Sequence, residues 1–560
     1  GALATQNAGA DAYNTAVGYS AGTAVTTGTA NTIIGGLAGD ALTSGSANVA
    51  IGKDSLSACI DGDFNTAVGF EALEDYDDGD GNGHNTAIGS QSQRQATTGE
   101  FNTSLGSLSM GTGITTGDYN VGLGYKALEV VTSGSHNIGL GTGAGGALTT
   151  GGENVLLGIN AGLAIVSANN NVAIGHDALK TNVDGDSNVA IGYESLKTLE
   201  PSDGHSYNVA IGHQSGKLMT TGIKNTLIGG QAGDALTTGV QNVAIGYEAL
   251  SGEDTGSKSI AIGAFALRVQ NFDGDAYNIA IGHDTGKAIS TGTENTLVGG
   301  QAGDALTEGA RNVALGKSAL SAEDTGSRNV AVGWSALGAL NYDGNGNNTA
   351  LGYYAGALIQ SGLNNTIIGA LAGDALTTGD NNIIIGHNAA ASAVGIDNTT
   401  VIGTTTTVHA LVHGLRKPVV TANADAAVTG TNTIYVFSDA DGAIITLPNS
   451  SSGGSSSPIG GSYEFVINVT ATSNNHKIVC ANTGAEKIIG TVNMVATDNS
   501  DAQTSFAAAA GDNFSALTFN GSTTGTAGTH VKITCLAANL WVVEGTVHGT
   551  GTVATPLATS

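Results

Sequence analysis

The sequence predicts an all-β protein: a β-solenoid of about 23 coils followed by a small antiparallel β-sandwich or jelly-roll domain. Three observations predict it. The motif Asn-x-x-[Ile/Val/Leu]-Gly recurs 22 times between Asn14 and Gly386, with Ser259 standing once for Asn. Successive copies most often follow at a 17-residue step, as from Asn31 to Asn48. Beyond position 403 the repeat stops and eight short β-type runs follow, separated by Gly, Ser, Asn and Asp. A fixed period of this length marks a repeat architecture, because a unit so small cannot own a core and must bury its apolar row against the next unit.

Each part of the repeat has a physical reading. Asn171-Val-Ala-Ile-Gly175 is typical: small and β-branched residues suit a short strand. The unvarying Gly that closes the motif requires either positive φ at a corner or a site with no room for a Cβ. A second Gly near position fourteen (Gly28, Gly45, Gly151, Gly239) reads as the other corner. The Asn residues are expected to form a ladder, each side-chain amide bonding its neighbours above and below. At about 4.8 Å per strand, 22 or 23 coils make a rod on the order of 105–110 Å long. A weaker copy at Asn398–Gly403 reads as one residue longer.

A longer, four-coil period overlays the short one. Asn225, Asn295 and Asn365 stand evenly spaced at every fourth coil, a 70-residue super-repeat. Gly-Gly-x-Ala-Gly-Asp-Ala-Leu begins at Gly229 and Gly299, with variants at Gly35 and Gly369. Longer steps recur about once per block, at Asn65–Asn85, Asn188–Asn208, Ser259–Asn278 and Asn329–Asn348. Growth by duplication of four-coil blocks follows, each with one protruding loop. Stepping back one repeat from Asn14 puts Gly1 in the slot of a closing Gly, which predicts a preceding segment that holds the anchor.

Three domains are expected: the solenoid at 1–403, a capping neck at 404–420 and the β-sandwich at 421–560. The predicted strands of the last are Thr433–Phe437, Ala443–Leu447, Ser462–Ala471, His476–Cys480, Lys487–Ala496, Asn513–Phe519, Val531–Leu536 and Asn539–Val547.

Composition excludes several functions. The 560 residues include 87 Gly but only 5 Pro, and charged residues are 11% against 40% apolar, the reverse of a disordered chain. A net charge of −28 repels phosphate backbones and anionic membranes, so neither nucleic-acid binding nor membrane insertion is expected. Three Cys exclude a disulfide scaffold. Cys480 and Cys535 lie in predicted strands and could pair, although buried free thiols suit all three better.

Asn-Thr-Ala-Val-Gly-(Tyr/Phe)-x-Ala, as at Asn14 and Asn65, resembles the 17-residue repeats of phage tail-fibre proteins. It is also similar to the coils of trimeric autotransporter adhesin heads. The resemblance covers residues 1 to about 415. It implies a left-handed β-roll, a homotrimer and a virion fibre that contacts other virion proteins through a missing N-terminal region and meets a host surface glycan or protein. The unit here is longer than the adhesin coil. A bacterial surface adhesin or extracellular filament, located at the cell surface, is the alternative. An ice-binding solenoid would need regular exposed Thr pairs such as Thr26-Thr27 and Thr149-Thr150, but replacements such as Gly252-Glu253 interrupt them. A polysaccharide depolymerase would need paired carboxylates in a cleft, whereas the acidic residues here recur in repeated loops. No Ser/His/Asp spacing or phosphate loop stands out, so no catalytic or cofactor-binding residue is assigned and the protein is expected not to be an enzyme.

Metal ligands are weak candidates only. Asp78-Gly-Asp80-Gly-Asn82 begins like an EF-hand loop, but its twelfth position is Gly89, where a bidentate Glu is required. Calcium is the one ion such loops would take. His409 and His413, four apart in a strand-like neck, share one face. His176, His213, His283 and His387 share a register, but Tyr, Phe, Lys, Gly and Ser fill that slot elsewhere, so it reads as exposed.

Overall fold

The computed structural model describes residues 1–404 except 10, 78, 80, 81, 202 and 203, and beyond them twelve strands between residues 419 and 558 with residues 447 and 529. The chain divides into two compact units, Gly1–Ala410 and Leu411–Ser560.

The first unit is a parallel β-solenoid. Twenty-three strands of three residues each run from Thr15–Val17 to Thr400–Ile402, one per coil. Each pairs in register with the next, as Val172↔Val189, Ala173↔Ala190 and Ile174↔Ile191 do. In each strand the middle residue turns inward: Ala173, Leu227 and Ile367 are fully buried. The two β-branched or Leu neighbours point outward. The core is therefore built from the middle residue of each strand, the Ala or Ser seven residues after the Asn, and a Leu or equivalent on the facing side.

Both readings of the closing Gly hold. Gly175 has φ +134°, and a Cβ there would lie 2.5 Å from the carbonyl oxygen of Gly192 in the next coil. The second Gly answers only to close approach: a Cβ on Gly28 would meet the Gly45 oxygen at 2.3 Å. A third device has no sequence signature. The residue before each Asn is left-handed whatever its identity, for example Ala30 (φ 61°), Phe64 (φ 58°) and Arg328 (φ 62°).

The Asn ladder exists, with a correction to its wiring. Asn48 Oδ1 accepts the backbone N–H of Asn65 at 2.8 Å, and Asn48 Nδ2 donates to the Gly62 carbonyl at 2.8 Å. Each Asn thus ties its own corner to the backbone of the next coil. Amide-to-amide bonds appear only in some rungs, such as Asn154 Nδ2 to Asn137 Oδ1 at 3.0 Å.

The four-coil period is a packing period. Leu227 spreads between Gly216 and Gly233, whose Cβ atoms would fall 2.8 and 2.9 Å from its methyls. Leu297 lies likewise between Gly286 and Gly303, and Ile367 between Gly356 and Gly373. Elsewhere a small strand residue faces a Leu in the Gly position, as Ala244 faces Leu250, and both are fully buried. The Gly-x-Ala-Gly motif makes room for one large residue per block.

Two register readings change. Thr399 fills the Asn slot of the last coil, its N–H bonding Asn382 Oδ1 at 2.9 Å, so that coil keeps the 17-residue step and Asn398 is the left-handed residue before it. At the other end, Leu3 N–H bonds Ala21 O at 3.1 Å and Asn7 N–H bonds Thr26 O at 2.8 Å, a longer offset than the repeat for Asn7. The opening residues match a long coil, as Asn271 N–H to Ser290 O does, so Gly1 does not occupy the closing-Gly slot.

In the second unit each of the eight predicted strand segments contains a strand, and Val419–Ala422, Ala426–Ala427, Thr504–Ala508 and Leu557–Ala558 are added to them. They form a seven-stranded and a five-stranded sheet. Ser462–Ile467, His530–Ala537 and Leu540–Gly549 pair antiparallel, whereas Lys487–Ala496 runs parallel to Leu540–Gly549. Pairing is thus mixed rather than wholly antiparallel. Tyr463, Phe465, Val531, Ile533, Trp541 and Val543 are buried, with the Tyr463 and Trp541 rings 5.8 Å apart.

Candidate interaction face

The sequence pattern that makes each coil also decides what it shows to solvent. Because the middle residue of every strand is turned inward, its neighbours turn out. The outer face of the sheet carries two columns, one running Val155, Val172, Val189, Val209 and the other Leu157, Ile174, Ile191, Ile211, over 23 strands. Every residue in the two columns is Val, Ile, Leu or Thr, and none is charged. They are half-buried to exposed; Leu105, Leu140 and Leu351 are 44–48% exposed. The strip covers on the order of 110 Å by 10 Å, or roughly 1,000 Å², by strand spacing. A monomer rarely leaves an apolar patch of that size open to water.

Rings flank the strip. On one side, the left-handed residues before the Asn form a stack: Phe64, His84, Phe101, Tyr119 and His136, with centroids 4.9–5.1 Å apart. On the other, Tyr125, Tyr193, Tyr247 and Trp334 follow the closing Gly and are exposed. Ion pairs occupy the next face. Lys197 and Lys217 both contact Glu194, at 2.5 and 2.9 Å, and with Gln214 they hold its carboxyl far below the usual carboxylate range.

His176, His213, His283 and His387 lie exposed in the column after the closing Gly. His176 and His213 are separated by Tyr193, whose ring stacks between them at 5.6 and 5.2 Å. Asn82 is exposed, and its backbone bridges to Asp63 of the preceding coil. Asp78, Asp80, His409, His413 and Cys480 lie outside the described residues. Asp304 of the motif that begins at Gly299 is half-buried and packs in a turn; burial pushes its carboxyl up. Among the described residues no group of three or more His, Cys, Asp or Glu could hold a metal. Cys59 is buried, its thiol 3.9 Å from the Gly62 carbonyl.

The first Thr of each pair is not free. Thr26, Thr43, Thr132, Thr149 and Thr237 donate their hydroxyls to carbonyls of the next coil at 2.9–3.2 Å. They serve the stack rather than a surface ligand.

Sequence reasoning missed two buried carboxyls. Glu253 and Glu323 are fully buried in the slot where Leu or Ile sits in other coils. Glu323 accepts the N–H groups of Gly326 at 2.8 Å and Tyr342 at 3.3 Å, beneath the protruding loop of the next coil. Burial pushes its carboxyl up to about 7. Its register, the same distance past Asn312 as the core Leu positions lie past theirs, is the signal that would have placed it inside.

Compared with known proteins, the chain matches no family model, no curated protein and no solved structure.

Proposed function

We propose that this chain is a structural and adhesive fibre protein, three copies of which pack side by side through the outer sheet face, and that the rod projects from a phage particle to touch the host surface. The single observation that carries the reading is the uncharged two-column strip, 23 strands long, left open on one chain. Its area is close to the ~800 Å² per partner of a specific interface. Three identical strips facing one axis cover both strand columns of every chain at once, with closed symmetry. The ion-paired face then meets water, and its many repeated groups on three chains give avidity from weak contacts without a deep pocket. The reading assigns no catalysis.

Molar mass in solution, before and after heating in detergent, tests the proposal. A mass three times that of the chain, falling to one on heating, is expected; a monomer at all concentrations overturns it.

A further inference from the structure

At Gly338 and Ala357 the solenoid departs from the pattern of the two blocks before it. In two four-coil blocks the face next to the sheet is filled by cations: Lys197 and Lys217 on Glu194, then Arg268 near Glu248 at 3.8 Å and Lys287 near Asp284 at 3.7 Å. In the block that follows, the equivalent positions are Gly338 and Ala357. Gln231 and Gln301 are likewise replaced by Leu371. The lost side chains leave a groove of about 400 Å³, floored by Ala339, Ala357, Leu358 and Leu371 and edged by Ser335 and Asp374.

Three rings gather at the same point. Trp334 and Tyr353 hold the column after the closing Gly in consecutive coils, and Tyr354 follows Tyr353 and lines the groove. Their centroids are 4.6–5.1 Å apart and their planes cross at 55–69°. The Phe64–His84 stack is different: its rings lie parallel within 1° and use up each other's faces. Tilted rings touch edge to face and leave faces open. Trp334 and Tyr353 are 42% and 46% exposed.

We propose that this cluster and its groove bind a neutral pyranose unit of a glycan. The apolar face of a sugar ring suits an aromatic face, whose negative quadrupole attracts its C–H hydrogens. Its hydroxyls suit the few polar groups at the rim, with Asp374 accepting and Ser335 donating or accepting. The groove has no Lys or Arg, it carries Asp374, and the chain has a net charge of −28, so acidic sugars are repelled. A trimethylammonium ligand needs a gap between rings; rings in mutual contact offer none. The site lies around the corner from the two aliphatic columns.

The inference rests on the adhesive reading and names its ligand. The test uses the full chain and the emission of Trp334, the second Trp (Trp541) being buried. Glucose-, galactose- and N-acetylglucosamine-based tetrasaccharides are titrated, with sialyllactose and choline as controls. At least one neutral sugar is expected to shift the emission, and neither control is. Tyr353→Ala removes one ring of the cluster, keeps the reporter and weakens the response at least about tenfold. Ala357→Lys restores the residue the other two blocks carry, so it keeps the coil, fills the groove and weakens binding at least about tenfold. Tyr125→Ala leaves binding unchanged. No response to any neutral sugar up to about 10 mM, an equal response to choline, or full binding by Ala357→Lys overturns the site. A trimer that ignores all sugars removes the site alone, whereas a monomer that binds one keeps the site and removes the fibre reading.

Discussion

The amide of Gln270 donates to the hydroxyl of Ser259 at 2.8 Å, while its oxygen accepts from Asn278 Nδ2 at 2.9 Å. Ser259 replaces the ladder Asn within the stack, as Thr399 does in its last coil. Gln270 supplies the lost amide from the opposite side of the coil. Its Nε2 also reaches Glu253 at 2.9 Å.

Gln270→Leu should therefore strand several buried polar atoms and cost about 2–4 kcal/mol. Adding Ser259→Asn rebuilds the arrangement of the next block, where Asn329 sits in the ladder and Leu340 in the core. The double variant should recover most of the loss. Amide exchange of Asn278 in the three proteins measures it.

Glu323 ties stability to pH. Its folded pKa is about 7 against an ordinary value of 4.5. Between these values the folded chain holds a proton that the unfolded chain has released, so stability falls as pH rises from about 4.5 to 7. The span is on the order of 3 kcal/mol. Glu323→Gln should flatten that slope and raise the unfolding midpoint at pH 8, while leaving pH 4 little changed. Denaturant midpoints at the two pH values check it.

Leu227 and Gly233 form an exchangeable pair. Gly233→Leu alone overpacks, and Leu227→Ala alone leaves a cavity, each at about 2–4 kcal/mol. Together they recreate the combination found at Ala190, Leu196 and Leu199, all fully buried. The double variant should be more stable than the sum of the singles by about 2 kcal/mol, as a double-mutant cycle would show.

Two glycines separate geometry from composition. Gly175→Ala must push a Cβ to 2.5 Å from Gly192 O at φ +134°, and should cost more than about 3 kcal/mol. A Cβ on Gly36 has only the Tyr19 oxygen near, at 4.0 Å, so Gly36→Ala should be neutral within about 0.5 kcal/mol. Local hydrogen exchange in the flanking coils distinguishes the two.

Charges on the outer strip should uncouple assembly from folding. Ile174→Asp with Ile211→Asp alters two half-buried outward positions. The chain should keep its circular dichroism and lose its oligomeric mass.

The repeat, its strands and its Gly corners are legible because each obeys a local rule repeated many times. Asn171 and Gly175 can be read from one coil and checked in the others. The outer strip is written in the same letters, so the apolar row reads as core. A three-residue strand puts only its middle residue inside, and Ala173 between Val172 and Ile174 is the signal for that reversal. The left-handed residues are not legible, since Ala30, Phe64 and Arg328 share no chemistry; the corner geometry imposes the conformation. The phase at Leu3 is lost because one long coil shifts every count made across it. Trp334 and Tyr353 stand in a column of varied residues, and only the missing cations at Gly338 and Ala357 set them apart.

The parallel ladder joins each coil to the next by bonds directed along the stack. Tension applied to the two ends of the solenoid would pull on one rung at a time rather than shear many together. Peeling one coil would release about 55 Å of slack, the extended length of one repeat less one strand spacing. The force trace should be a comb of near-equal teeth, with a wider gap wherever one of the longer coils lets go.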